Sequence, residues 1–435
     1  MPNFRDLAYA VGVTLTSPIW GVSLLRTGKW RTDWRGRYGH TKPQPAHAGK
    51  TVLFNAVSVG EVSLLRGLIE ELSEREPGMR IVIAATTNTG FARAMELYSE
   101  KHTVVRYPLD FSWVVSRFLD RIKPDVVATV ELEVWPNFVD ACEARGIPLC
   151  VVNGRLSERS FKGYRKIKKL IGPSFAKLKV AAVQTDDYAA RFAEMGVNDV
   201  RVLDTMKWDN AKLDDDVTGS DELATELGID RDRPVVVAGS TGPGEDRLLI
   251  DALPEGVQLV IAPRKPEWFD AVMQVCPDAV RLTGVRKGDP AALPAATQQA
   301  LGDDRDSEGR VFLIDTIGEL SKAYAFADVV VVGRSFLGLY GSDVMEPAAL
   351  GKPVIIGPFH KDFQDVVDAM RKAGGLVVTD DPGGAVRELL ADRQKAEQIA
   401  DAGRAVIRHR QGSTTRHADM ILALLADQEG LSPGA

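Results

Sequence analysis

Three cysteines in 435 residues, Cys142, Cys150 and Cys276, are too few and too scattered for a disulfide framework, and none sits in a Cys-x-x-Cys pair. That excludes a stapled secreted fold and the common zinc and redox knuckles. A reducing compartment follows. The six histidines have no metal-ligand spacing. Asp-x-Asp pairs occur at Asp214/Asp216, Asp230/Asp232 and Asp304/Asp306, but all lie in linkers or an insertion and read as solvated charge. No metal and no cofactor is expected. Positive charge is also in short supply: 54 Lys and Arg against 60 Asp and Glu leave a formal net charge of −6. No domain is strongly basic, which argues against a nucleic-acid partner. Large disordered tracts are absent, and the 45% hydrophobic content suits two globular domains of roughly 200 residues.

What positive charge there is gathers early. Residues 26–50 hold seven Lys or Arg against one acid, Asp33, so an acidic body wears a basic collar. Ahead of it, Leu7–Leu25 runs nineteen residues without a charge, about 29 Å as a helix at 1.5 Å per residue. Pro18, two glycines and four hydroxyl residues dilute it. It reads as a membrane anchor that either spans or lies in one leaflet, with a core helix as the alternative. A basic flank after it places the body on the cytoplasmic side, and Trp20, Trp30 and Trp34 suit the interface.

From residue 51 short β-rich runs ("TVLFNAVS", "RIVIAAT", "DVVATVE", "IPLCVVN", "VAAVQT") alternate with helical patterns. Nearly continuous apolar strands between helices mean a parallel sheet covered on both faces. After "KWDNAKLDDDVTGSDE" the pattern restarts with "RPVVVAGS", "VQLVIAP", "GRVFLID", "ADVVVVG" and "KPVIIG". The expected organisation is α/β: residues 1–48 as anchor and collar, 49–215 and 216–427 as two Rossmann-like domains facing across a cleft, and a final helix long enough to reach back to the first. Residues 284–309 read as a mobile surface insertion.

In open parallel sheets ligands lie beyond the carboxyl ends of the strands. The polar residues of the strand-to-helix turns are therefore the candidates: Glu61; Thr86, Thr87 and Asn88; Glu131 and Glu133; Asn153 and Arg155; then Ser240 and Thr241, Arg264, Asp315, Ser335 and Glu346. Glu131 and Glu133, two apart, would share one face of a strand. Glu61 would also complement a helix dipole, worth about 0.3–1 kcal/mol, and the two roles coexist.

In order and spacing, "NAVSVGE", "ELEVWPN", "NGRLSERS", "GST" followed by Glu245, "APRKPEWF", "LIDTIGEL" and "EPAALGKPVIIGP" resemble the Kdo transferases of lipopolysaccharide assembly, over almost the whole chain. The resemblance implies an inverting GT-B glycosyltransferase that moves 3-deoxy-D-manno-oct-2-ulosonic acid (Kdo) from CMP-Kdo to a lipid A precursor at the cytoplasmic face of the inner membrane. It makes Glu61 the general base, with Glu131, Glu133 and Arg155 on the acceptor side. On the donor side it implies Ser240 and Thr241 opening a helix, Arg264 opposite the leaving CMP, the turn amides of Gly318 and Glu319, Ser335, and Glu346 for the ribose hydroxyls. The chain departs from the family pattern at Lys265 and Trp268, at Ser342 and Asp343, and at Asp204 and Thr205. These changes are on the donor side and leave two rivals open: a GT-B enzyme for another nucleotide sugar, and a degenerate membrane-anchored binding homologue.

Overall fold

The computed structural model describes residues 4–7, 9–11, 14, 32–213, 216–288 and 311–430. Most of the uncharged run 7–25 and of the expected insertion 284–309 therefore lies outside the described residues. Among those that are described, no helix is long and apolar enough to cross a membrane.

The chain forms two units, one of Met1–Asp209 with Gly412–Ala435, the other of Asn210–Gln411. Among the described residues each holds one seven-stranded sheet, and the strand pairs in both are parallel. The first sheet comprises β1 (Thr51–Ala56), β2 (Arg80–Ala85), β3 (Thr103–Arg106), β4 (Val126–Val130), β5 (Leu149–Gly154), β6 (Val180–Val183) and β7 (Val200–Val202), in the order β3-β2-β1-β4-β5-β6-β7. The second comprises β8 (Val235–Thr241), β9 (Gln258–Pro263), β10 (Val280–Arg281), β11 (Val311–Leu313), β12 (Val329–Val332), β13 (Val354–Ile356) and β14 (Val377–Val378), in the order β10-β11-β9-β8-β12-β13-β14. In both, the first strand lies inside the sheet and the order reverses beside it.

Side-chain alternation explains why β1 is apolar throughout. Val52, Phe54 and Ala56 enter the core on one face, and Leu53 enters the core on the other. The first of these cores also takes Ala418, Ile421, Leu424 and Leu425. They belong to the closing helix Ser413–Gly430, which packs against the helix Val59–Arg75. A buried histidine ties that helix to the sheet: His417 Nε2 accepts the Asn153 N–H at 3.0 Å while Nδ1 lies 2.8 Å from the Ser413 carbonyl. Burial pushes its pKa down to about 4, so the ring is neutral and serves as an acceptor at the end of β5.

The N-terminal residues dock on the first unit by polar contacts. Arg5 reaches Asp140 at 2.5 Å, Asp6 accepts from the Ser112 N–H at 2.8 Å and from Asn137 Nδ2 at 3.1 Å, and the Tyr9 hydroxyl donates to Asp110 at 3.0 Å.

Candidate active site

The turn after β1 is built by a cap. Ser58 is the N-cap of the helix Val59–Arg75 and accepts the Glu61 N–H at 3.3 Å. Glu61 folds back on the same turn: its carboxylate accepts from the Val57 N–H and from the Ser58 hydroxyl, both at 2.8 Å. Ser-x-x-Glu is the spacing of a capping box, and here it sets the rotamer of the acid. Burial pushes the Glu61 pKa up, opposed by the Val57 and Ser58 hydrogen bonds.

β4 pairs with β1, Asn55 opposite Thr129, so the acids after β4 arrive beside this turn. They do not arrive as a strand. β4 ends at Val130, and Glu131 turns the backbone at φ 59°, so the same-face argument for Glu131 and Glu133 fails. Non-glycine residues rarely adopt that conformation, and such strain gathers at functional sites. Asn153, at the end of the neighbouring β5, has φ 52°. Glu133 is oriented by Trp135, whose indole N–H donates to it at 2.7 Å. Its pKa is pushed up to about 7, first by burial and then by the charges of Glu61 and Glu131, against the Trp135 hydrogen bond. Glu61, Glu131 and Glu133 thus share one electrostatic neighbourhood, and Arg155 follows one strand over, after Gly154.

Neither acid caps the next helix, Pro136–Glu143. That task falls to Asp110, which accepts the N–H groups of Asn137 at 3.1 Å and Phe138 at 2.8 Å. Burial pushes Asp110 up to about 6. Nothing in the sequence singled out Asp110, because it caps a helix 26 residues further along the chain.

In the second unit the donor-side candidates fall into three groups. The first surrounds Glu245, fully buried, whose carboxylate accepts the N–H groups of Gly242, Arg334, Ser335 and Phe336 at 2.5–2.9 Å. The helix starts at Glu245, not at Ser240 and Thr241, which end β8; Ser240 has φ 56° and Thr241 is buried. The Gly242 amide is donated to Glu245 at 2.8 Å. Ser335 is buried too, its hydroxyl donating to the Val332 carbonyl and accepting from the Gly357 N–H. Positioning is what this geometry gives both residues.

The second group surrounds Tyr324, buried against Gly239, where an added Cβ would strike the phenol oxygen. After burial itself, the charges of Glu346, Asp343 and Arg264 act on that phenol, so three donor-side side chains converge there. Arg264 is exposed and its N–H bonds the Thr241 carbonyl at 3.0 Å. Glu346 accepts from the Ser321 hydroxyl and borders a cavity of about 430 Å³ with Asn210, Lys212, Asp216 and Thr218. The third group is Gly318 and Glu319, ahead of the helix Leu320–Phe326. Glu319 pairs with Arg286 at 3.0 Å and Lys322 at 2.8 Å.

The departures from the family pattern have local accounts. Asp343 accepts the N–H of Met345, the first residue of the short helix that carries Glu346, at 2.8 Å; an amide in its place would accept the same bond through its oxygen. Lys265 pairs with Glu267 at 3.1 Å and lies 5.0 Å over the Trp268 ring, which gives the tryptophan a cation to cover. Asp204 has φ 63°, the conformation that makes glycine usual there.

Comparison with known proteins completes the assignment. Residues 32–210 match the family model for 3-deoxy-D-manno-octulosonic-acid transferase (kdotransferase). The 3-deoxy-D-manno-octulosonic acid transferase of Bordetella pertussis is 30% identical over 422 residues, 93% of this chain and 94% of that protein. The chain belongs to the Kdo transferase family. The Haemophilus influenzae 3-deoxy-D-manno-octulosonic acid transferase is 26% identical, with 92% of this chain and 93% of that protein aligned. Among solved structures, a glycosyltransferase from Rickettsia africae superposes with a TM-score of 0.55 at 12% identity, over 87% of this chain and 99% of that one, which supports the GT-B fold. This Kdo transferase is thus a glycosyltransferase of lipopolysaccharide biosynthesis.

Proposed function

We propose that the enzyme is an inverting, metal-independent Kdo transferase that takes Kdo from CMP-Kdo, attaches it to a lipid A precursor, and uses Glu61 as general base. The observation that carries this reading is the group of acids on neighbouring strand ends. Glu61 is held in one rotamer by its own cap, with its pKa raised by burial. Glu133 beside it is pushed up to about 7. Bases are most effective with a pKa near the working pH. Two neighbouring acids do not readily ionise together, and Glu133 titrates in the field of Glu61.

In the proposed step Glu61 takes the proton of the acceptor hydroxyl. The freed oxygen pair forms the bond to the anomeric carbon of Kdo, while the bond from that carbon to the phosphate oxygen breaks and its electrons leave with CMP. Arg264 and the amides at Gly318 and Glu319 neutralise that departing charge, and Glu346 holds the ribose hydroxyls. Arg155 and Glu131 face the acceptor. The test is incubation with CMP-Kdo and a tetraacyl lipid A precursor, reading product by mass. Wild type should form the glycosylated lipid, and Glu61→Gln should be about 100- to 10,000-fold slower. Absence of wild-type product sinks the reaction; an equally active Glu61→Gln sinks the base. Calorimetric titration with CMP against UDP separates this donor from another nucleotide sugar.

The same reading seats the enzyme on the cytoplasmic face of the inner membrane. Support comes from Phe4, Leu7 and Val11, exposed by 79, 62 and 49% and spaced i, i+3, i+7 along one helical face, ahead of the basic collar. Such a face buries in the headgroup region, helped by about 1 kcal/mol per nearby cation on an anionic surface. Replacing all three by Ser should weaken sedimentation with phosphatidylglycerol vesicles several-fold; unchanged sedimentation would remove this face from the membrane contact.

A further inference from the structure

Two guanidinium groups stand unexplained beside the Glu61 turn. Arg106, the last residue of β3, is only 8% exposed, and its Nε is buried without a hydrogen-bond partner. Its Nη1 donates to the Thr87 carbonyl at 3.2 Å, and the guanidinium lies 3.9 Å over the Phe91 ring. Arg37, half-buried at the end of the helix Trp34–Arg37, donates to the carbonyl of Thr86, the neighbouring residue. A Cβ on Gly36 would meet the Arg106 stem at 3.0 Å, so glycine there lets the short helix lie on Arg106. Among the described residues neither guanidinium has an ion pair with a carboxylate. The acid whose charge acts on both is Asp33, exposed and already accepting the Gly36 N–H as helix cap. Burial and, for Arg37, the neighbouring Arg106 push both pKa values down, as expected of like charges short of a counter-ion.

Two cations with one shared, exposed acid make an unbalanced site. Each guanidinium offers five donors, and the bonds named above use one of each. The Thr86 hydroxyl is a further buried oxygen with no partner. The positive end of the helix Asn88–Tyr98, capped by Thr87, points to the same turn. Paired guanidiniums with hydroxyl and amide donors are the recognition chemistry of a phosphate monoester.

The location says whose phosphate it is. The Thr87 N–H and hydroxyl both bond the Val57 carbonyl, at 3.1 and 2.6 Å, and the Val57 N–H bonds Glu61. The turn held by the two arginines is thus hydrogen-bonded to the turn that orients the base. We propose that Arg37 and Arg106 form a cradle for a phosphate monoester of the acceptor, holding the sugar so that its hydroxyl meets Glu61. This rests on the acceptor reading given above, and it adds a binding subsite distinct from Arg155.

Inorganic phosphate tests the cradle without any transfer reaction. Calorimetric titration of the whole protein should show saturable phosphate binding in wild type, weakened at least tenfold in Arg106→Gln. Arg106→Met is the second variant, since it keeps a stem against Phe91 and Gly36 while removing the charge. In kinetic assays both should raise KM for the phosphorylated acceptor at least tenfold, with KM for CMP-Kdo within about twofold. With wild type alone, an acceptor lacking its phosphates should show a similar rise in KM, a result that needs no variant to fold. Unchanged sedimentation of the variants with phosphatidylglycerol vesicles is expected and assigns the site to the acceptor. Equal phosphate binding by wild type and variants, equal KM for the two acceptors, or loss of vesicle binding with unchanged acceptor KM would each overturn the proposal. Failure of wild type to transfer Kdo would instead sink the reaction while phosphate binding still reports on the cradle.

Discussion

Glu61 and Glu245 occupy the same place in two sheets. Each follows the first strand of its unit, β1 or β8, at the point where the strand order reverses. Both accept a backbone N–H from just before them in the chain, Val57 for one and Gly242 for the other. There the likeness ends. Glu61 is satisfied within its own turn and shares its surroundings with two acids. Glu245 gathers three further amides from residues 334–336, joining the β8 turn to the segment after β12. A carboxylate surrounded by amides is structurally committed, whereas burial beside other acids raises a carboxyl's pKa. The position in the fold is shared, and the neighbours decide the task.

That contrast is broken or sharpened most directly by removing each acid. Glu245→Ala would leave four N–H groups, three of them buried, without an acceptor, at about 1–3 kcal/mol for each buried group left unsatisfied. We expect it to destabilise the second unit by about 4 kcal/mol or more, read as faster hydrogen exchange of amides in β8 and β12. Glu61→Gln should alter exchange in the first unit by no more than a lost cap, about 1 kcal/mol, while abolishing most activity. Equal losses of protection from both variants would mean that the two acids are structural alike.

How much of this was legible beforehand follows from the same physics. The ten inner strands announce themselves as apolar runs, because both faces are covered by helices. The four strands absent from those runs, β3, β7, β10 and β14, are the sheet edges, two to four residues long. Too short to hold a period, they blend into their flanking loops. Glu61 was legible for a local reason: its partners lie at Val57 and Ser58. Glu133 was legible as a residue and not as a geometry, since nothing in Glu-x-Glu reveals the turn at Glu131. Asp110 and the Arg37–Arg106 pair were hidden because their partners are distant in sequence. The resemblance puts a helix start at Ser240 and Thr241, but the helix begins at Glu245, which takes the amide of Gly242.

A finer test lies in the proton that Glu133 keeps in the first unit. Burial holds Glu133 protonated in the folded state up to about pH 7, whereas an unfolded glutamate ionises near its ordinary value of about 4.5. The folded state therefore binds the extra proton in that window. This contribution to stability is complete below about pH 4.5 and is lost as the pH rises towards 7. Glu133→Gln should remove the loss, so variant and wild type diverge in thermal stability between pH 4.5 and 7, the variant becoming relatively more stable at the upper end. In the kcat/KM profile the acid limb, assigned to Glu61 as the base, should stay in place, and any inflection near pH 7 from Glu133 should vanish. If the acid limb moves instead, Glu133 carries the proton in the reaction and the two acids exchange roles. If neither stability nor activity changes its pH dependence, the first unit's acids are as settled as Glu245, and the distinction between the two sheets no longer holds.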